Sequence, residues 1–236
     1  PVKLFPIDPN LDAYRSLFAE KNLITPLMNT LFATIVGTGL SLVVTSCAAY
    51  ALSRRYLYGR RVLLRIILGT MLFSGGLMPT YMVCKELGIT NTRWALVLVP
   101  MVSAYNIFVM RSFFAGIPDA LEESARIDGA SEMRIFAGIF LPISLPGLAT
   151  VFFMEYVSRW NSITIPASIL TNEAMYTLPL KLKTMILSTN STSGTAQIPD
   201  NAIMAAIIIT AAPLLLIYVF AQKFLLSGLN LGATKE

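Results

Sequence analysis

Long apolar runs constrain this chain before anything else does. Residues 24–52, 62–83, 94–114, 144–160 and 202–226 are dominated by aliphatic and aromatic side chains and hold few ionisable ones. A helix needs roughly 20 apolar residues to cross a bilayer core. Each run therefore reads as a span, and the chain as an all-α membrane protein with one transmembrane domain over residues 1–236. Composition agrees, because 55% of residues are hydrophobic, 13% are charged and mean hydropathy is +0.67. Such a chain belongs in lipid.

A net charge of +5 would suit nucleic acid, yet the basic residues sit beside the apolar runs rather than along a soluble face. Arg54-Arg55-Tyr56-Leu57-Tyr58-Gly59-Arg60-Arg61, followed by Arg65, contains no acidic residue. By the positive-inside rule this short loop is cytoplasmic. Alternation then puts Lys85 to Arg93 outside and the end of the third span with Arg111, together with loop 115–143 and its Arg126 and Arg134, in the cytoplasm. Segment 161–201 lies outside, with an amphipathic portion at Leu178, Leu182, Met185 and Ile186 and a loop from Ser188 to Thr195. Lys223 ends the last span at the cytoplasmic interface. Residues 1–23 read as an aqueous loop with Leu17 and Phe18 at the membrane surface, and a further N-terminal portion is expected before Pro1.

Several features bear on how the spans pack. Gly37, Gly39, Ser41 and Ser46 offer a small surface to neighbouring helices. Gly75-Gly76 and Pro79 should weaken the second span, and Pro213 should interrupt the last. Asn106, beside Tyr105 in the third span, needs a partner on a neighbouring helix or a substrate. Glu155, Tyr156, Arg159 and Asn161 cluster at the outer end of the fourth. They either face a translocation path or, with Glu155 and Arg159 spaced i and i+4, neutralise each other. Cys47 and Cys84 read as small hydrophobes. There is no histidine, phosphate-binding loop or nucleophile elbow, so no catalytic residue or metal site is expected, and ATP would have to bind another chain.

One polar island stands out, residues 118–131 and their continuation to Pro142. Pro118 suits a first helical position, and Asp119, Glu122 and Glu123 place negative charge at the positive helix end. Gly129 can turn left-handed and stop that helix. Ser131 can cap a second one, whose Ile135, Phe136 and Ile139 share a face before Pro142 interrupts it.

Glu123-Ser124-Ala125, then Gly129, then Ile139-Phe140-Leu141-Pro142 resembles the signature loop of the membrane subunits of type I ABC importers, with Ser124 where alanine is usual. The resemblance implies that Leu121, Glu122, Glu123, Ser124, Ala125, Asp128 and Gly129 form a coupling helix that docks into a groove on an ATPase. Leu121, Ser124, Ala125 and Asp128 share one face, so Leu121 and Ala125 are expected to face the groove and Glu123 to make a polar contact. The runs Gly75 to Tyr81, Asn91 to Leu96 and Trp160 to Ser162 look like the oligosaccharide and polysaccharide permeases of the carbohydrate branch.

That branch implies a heterodimer with a second permease, two copies of a cytoplasmic ATPase that holds ATP and magnesium, and an extracytoplasmic solute-binding protein. It also implies the bacterial cytoplasmic membrane, a saccharide substrate, no cofactor on this chain and a sixth helix ahead of Pro1. Tyr105, Asn106, Glu155, Tyr156, Arg159 and Asn161 would then face the path between the permeases, and cationic Arg159 favours an acidic polysaccharide such as an alginate- or pectin-derived chain. Two other classes compete. An ion-coupled secondary transporter would need more intramembrane acids than Glu155 and an internal repeat, and a non-transporting scaffold would be helical as well.

Overall fold

The structure is a computed structural model that describes residues 23–73, 75–189 and 200–233. Among these the regular elements are helical, with no strand. Residues 1–22 of the expected aqueous loop, residues 190–195 of the loop expected from Ser188 to Thr195 and the side chain of Lys223 lie outside the described residues, whereas Ser188 and Thr189 are the last residues of a helix.

Helix α1, Ile24–Ser53, is the axis of the fold. Its 30 residues reach about 45 Å at 1.5 Å per residue, enough to cross a bilayer unbroken and tilted. One face is nearly all small: Ala33, Gly37, Thr38, Ser41, Thr45 and Ala49 are buried. The opposite face leaves Ile35 and Val43 each 62% exposed. Small side chains let helices approach closely where no hydrophobic effect drives them together, and α5 (Ala104–Ala115) and α8 (Leu145–Trp160) pack here. Gly39 is exposed instead, off this stripe.

The next two expected spans are divided. Residues 62–83 fall on α2, Arg60–Leu72, and α3, Leu77–Glu86, whose axes turn by 114° at the break. Gly76 there has φ +80, a conformation open chiefly to glycine. Residues 94–114 fall on α4, Arg93–Leu98, and α5, because Pro100 cannot continue a helix and Ser103 caps a new one by accepting from Asn106 N–H. Broken backbone at membrane depth needs protein or water partners, and one is described below.

After α5 come α6, Asp119–Ile127, and α7, Glu132–Ile143. Pro142 does not end α7 as expected. A π-helical turn over Phe136–Phe140 precedes it, and the wider coil accommodates a residue that lacks N–H and crowds the carbonyl four positions back. The chain then turns by 80° into α8. Helices α9, Thr164–Ile169, and α10, Leu178–Thr189, follow, with Leu178 and Leu182 buried against Ala205 and Ala206. Helix α11, Asp200–Ala233, runs continuously through Pro213, where an interruption was expected. The Trp160 indole donates to the Thr210 carbonyl at 2.9 Å, next to the Ile209 carbonyl whose helical donor the proline removes.

Candidate functional site

The polar island folds into a compact unit at one end of α1. Asp119 and Glu122 occupy the first turn of α6, with Pro118 at the cap position, one residue earlier than the sequence suggested. Gly129, at φ +76, ends the helix. Gly129 N–H donates to Arg126 O and Ala130 N–H to Ala125 O, at 3.0 and 2.9 Å, the paired bonds of a Schellman stop. Ser131 Oγ then accepts from Arg134 N–H and starts α7.

Beneath the two helices lies an aromatic floor. Phe114 of α5, Phe136 and Phe140 of α7 and Tyr50 of α1 meet at ring-centroid distances of 4.9 to 6.3 Å, mostly edge to face, a preferred arrangement for aromatic pairs. Arg54, just past α1, lies over the Phe140 ring at 4.2 Å and pairs with the Glu122 carboxylate. Both side chains are at most 9% exposed. Arg126 bridges Glu122 at 2.8 Å and Glu132 at 2.5 Å and stacks 4.4 Å from the Tyr56 ring. The Tyr50 and Tyr56 hydroxyls both donate to Glu132, each at 3.0 Å. Burial, aided by the carboxylate it donates to, pushes the Tyr56 hydroxyl above its ordinary value, so it stays a donor. One polar network thereby ties the end of α1, loop 54–59, α6 and α7.

Two of the expected coupling residues lie inward in this chain. Glu122 is buried and faces the chain's own arginines. Ala125 is half-buried and packs against the aromatic cluster. Leu121, Glu123, Ser124 and Asp128 are exposed, and Ile127 is exposed by 86%. Arg54, Arg126 and Glu132 were not among the expected site residues.

Gly129 permits a test. Nothing lies within 4 Å of where its Cβ would stand, so a substitution is penalised by backbone conformation alone, about 1–2 kcal/mol for alanine and less for asparagine. Gly129→Ala is expected to lower the ratio of uptake to ATP hydrolysis more than Gly129→Asn. Equal ratios in both variants would remove the role given to this turn.

The second group lies within the helical bundle. Asn106 donates to Glu155 at 2.7 Å, and Glu155 pairs with Arg159 at 2.8 Å. Arg159 also donates to the carbonyls of Leu96, Val97 and Pro100, at 3.3, 3.2 and 2.9 Å. Leu96 and Val97 belong to the last turn of α4, where helix carbonyls have no partner of their own, and Pro100 to the break beyond it. Arg159 thus closes the broken third span. It packs against Gly37 so closely that a Cβ there would fall on the guanidinium.

Tyr156 is buried and stacks on Trp160 at 5.9 Å. The cavity beside Arg159, about 60 Å³, has room for a few waters at about 10–15 Å³ each and none for a sugar ring. Of the six residues expected on a path, four are buried in this bundle, while Tyr105 and Asn161 are exposed. The Glu155–Arg159 pairing and the Asn106 partner were both among the readings the sequence left open.

Residues 23–230 match the family described as "Binding-protein-dependent transport system inner membrane component". The chain is 37% identical to the polygalacturonan/rhamnogalacturonan transport system permease protein YtcP of Bacillus subtilis (strain 168), over 98% of this chain and 84% of the relative. It is 29% identical to the diacetylchitobiose uptake system permease protein DasC of Streptomyces coelicolor, over 98% and 83%. A crystal structure of a bacterial ABC transporter involved in the import of the acidic polysaccharide alginate superposes with a TM-score of 0.88 at 31% identity, covering 95% of this chain and 83% of that one. The fold expected from the signature loop is therefore the one observed, and this chain belongs to the inner-membrane permeases of binding-protein-dependent ABC importers.

Proposed function

We propose that this chain is one of two permease subunits of an importer for an oligosaccharide or acidic polysaccharide, driven by ATP and magnesium bound to a separate cytoplasmic ATPase and fed by an extracytoplasmic binding protein. The observation that carries this reading is the construction of α6. Its inner face is fixed to three other elements through Glu122, Arg54 and Arg126, while Leu121 and Ile127 stand 44% and 86% exposed beside Met133 at 69%. Apolar side chains bared next to a rigid polar anchor suit a helix gripped by a groove. Movement of the gripping partner would pass into α1, α5 and α7 as a rigid shift that biases the path between its facing states.

The acidic class of substrate is supported by the polygalacturonan/rhamnogalacturonan relative and the alginate importer. Arg159 lends it no weight, since Glu155 matches its charge inside the bundle. On the chain's own surface, Tyr105 and Asn161 are the members of the expected set free to face a path.

The deciding experiment is uptake into proteoliposomes by the complex purified with its partner chains, using whichever saccharide the cognate binding protein retains. Uptake is expected to require ATP inside the complex's cytoplasmic face and to persist when ionophores dissipate ion gradients. Uptake that collapses with the gradients while ATP is present would assign the chain to ion-coupled transport.

A further inference from the structure

The cavity beside Arg159 lies where the break between α4 and α5, the end of α8, α9 and the start of α10 meet α1. Its wall is apolar except for Ser158, Arg159, Ser162 and Thr177. A purely apolar cavity stays dry, whereas one whose wall holds buried polar groups without other partners takes up water. The state of those four side chains therefore decides what fills it.

Thr177 is the most telling of them. It is 5% exposed, and its hydroxyl has no hydrogen-bond partner among the described residues. Its carbonyl accepts from Lys181 N–H at 2.9 Å, which puts it at the cap position of α10, where a threonine hydroxyl ordinarily accepts from the second or third helical residue. Here the second is Pro179, which has no N–H to give. Leu178 N–H is already taken by Thr30 Oγ1 at 2.8 Å, and Asn29 donates to the Tyr176 carbonyl at 3.1 Å. Helix α1 thus fixes the backbone on both sides of Thr177 and keeps the side chain in the cavity wall.

Arg159 offers a complementary group. A guanidinium carries five N–H donors, and Glu155 with the Leu96, Val97 and Pro100 carbonyls accounts for four of them. One N–H on Nη2 is left over. The Ser158 and Ser162 hydroxyls line the same space, so the cavity meets a water's need for roughly two to four polar partners. Because Glu155 already balances the Arg159 charge at 2.8 Å, the site is neutral, which favours water over a small anion.

We propose that this cavity is an internal water-binding site, in which a short chain of ordered waters joins the Thr177 hydroxyl to the remaining Nη2 donor of Arg159. The waters tie the start of α10 to the side chain that closes the broken third span. The proposal rests on the cavity and not on the saccharide carried.

The complex purified with its partner chains is imaged by cryo-electron microscopy at a resolution that shows ordered water, once in chloride and once in gluconate buffer. Water peaks are expected in the cavity in both, one of them within hydrogen-bond distance of Thr177 Oγ1, and Thr177→Val is expected to lose that peak with its backbone unmoved. An empty cavity overturns the proposal, as does a Thr177 hydroxyl turned onto Leu180 N–H. A peak that vanishes in gluconate would identify an anion and overturn it equally.

Thermal unfolding of the same complex gives a second readout. Removing a buried hydroxyl that lacks a partner is neutral or stabilising, whereas removing one that holds a water breaks a satisfied network. Thr177→Val is therefore expected to lower the unfolding temperature by a few degrees. Thr45→Val on α1 is expected not to lower it, because the Thr45 hydroxyl is also buried without a partner but lies outside this cavity. An unfolding temperature for Thr177→Val at or above the parent's overturns the proposal.

Discussion

Arg159→Ala is expected to lower the level of folded, membrane-inserted protein several-fold and to depress its unfolding temperature in detergent more than any change on the exposed face of α6. Its guanidinium makes four hydrogen bonds, to Glu155 and to the Leu96, Val97 and Pro100 carbonyls. Removing one member of a buried ion pair costs about 3–5 kcal/mol, and each carbonyl left without a donor adds about 1–3 kcal/mol. These contributions overlap and do not sum, but either alone is large. Gly37→Ala should fall on the same side, because the new Cβ would push the guanidinium out of place. Arg159→Lys keeps the charge but loses the fork that serves three carbonyls at once, so it should lie between parent and alanine. A role on the substrate path predicts the opposite pattern, with the unfolding temperature unchanged and substrate-stimulated uptake lost. That result would return Arg159 to the translocation path.

What could be read from the residues divides along local and long-range chemistry. The stop at Gly129 and the Ser131 cap were legible because turn and cap chemistry operates within four residues. The Glu155–Arg159 pair was one of two open readings for the same reason, since i and i+4 lie on one helix face. The signature loop supplied the fold. The orientation of Glu122 and Ala125 was not legible, because their neighbours come from elsewhere. Arg54 is 68 residues from Glu122, and the aromatic cluster that receives Ala125 draws on α1, α5 and α7.

Divided helices were only half legible. Gly75-Gly76 announced one break, whereas the break between α4 and α5 rests on Pro100 and on Arg159, which lies 59 residues away and closes it. At Pro213 the local signal pointed the wrong way, since the helix runs on through it, with the Trp160 indole packed one residue beyond the carbonyl that the proline leaves without its N–H. The same logic governs the whole bundle. In lipid, an apolar exterior says little about register, and the few polar side chains determine which helices meet.

Glu122→Ala is expected to leave the ATPase bound but to raise the ATP hydrolysed per saccharide carried, with uptake falling by an order of magnitude or so, a part of the about 3–5 kcal/mol that breaking a buried pair costs. Glu122 is the one acid joining Arg54 and Arg126, and without it two cations face each other across the inner side of α6 with only Glu132 near. The outer face, with Leu121 and Ile127, is untouched, so docking should survive. The link from that face to α1 should loosen. Rigid transmission requires an element with discrete, well-packed positions, and a helix detached from its anchor no longer has them. Replacing the pair by apolar residues, Arg54→Met with Glu122→Leu, should recover part of the coupling, because a packed apolar contact substitutes for a buried ion pair better than a lone charge does. Parallel measurements of bound ATPase, hydrolysis and uptake decide the matter. Loss of the ATPase from Glu122→Ala would make Glu122 a contact residue after all, and a ratio of uptake to hydrolysis equal to the parent's would show that the anchor plays no part in coupling.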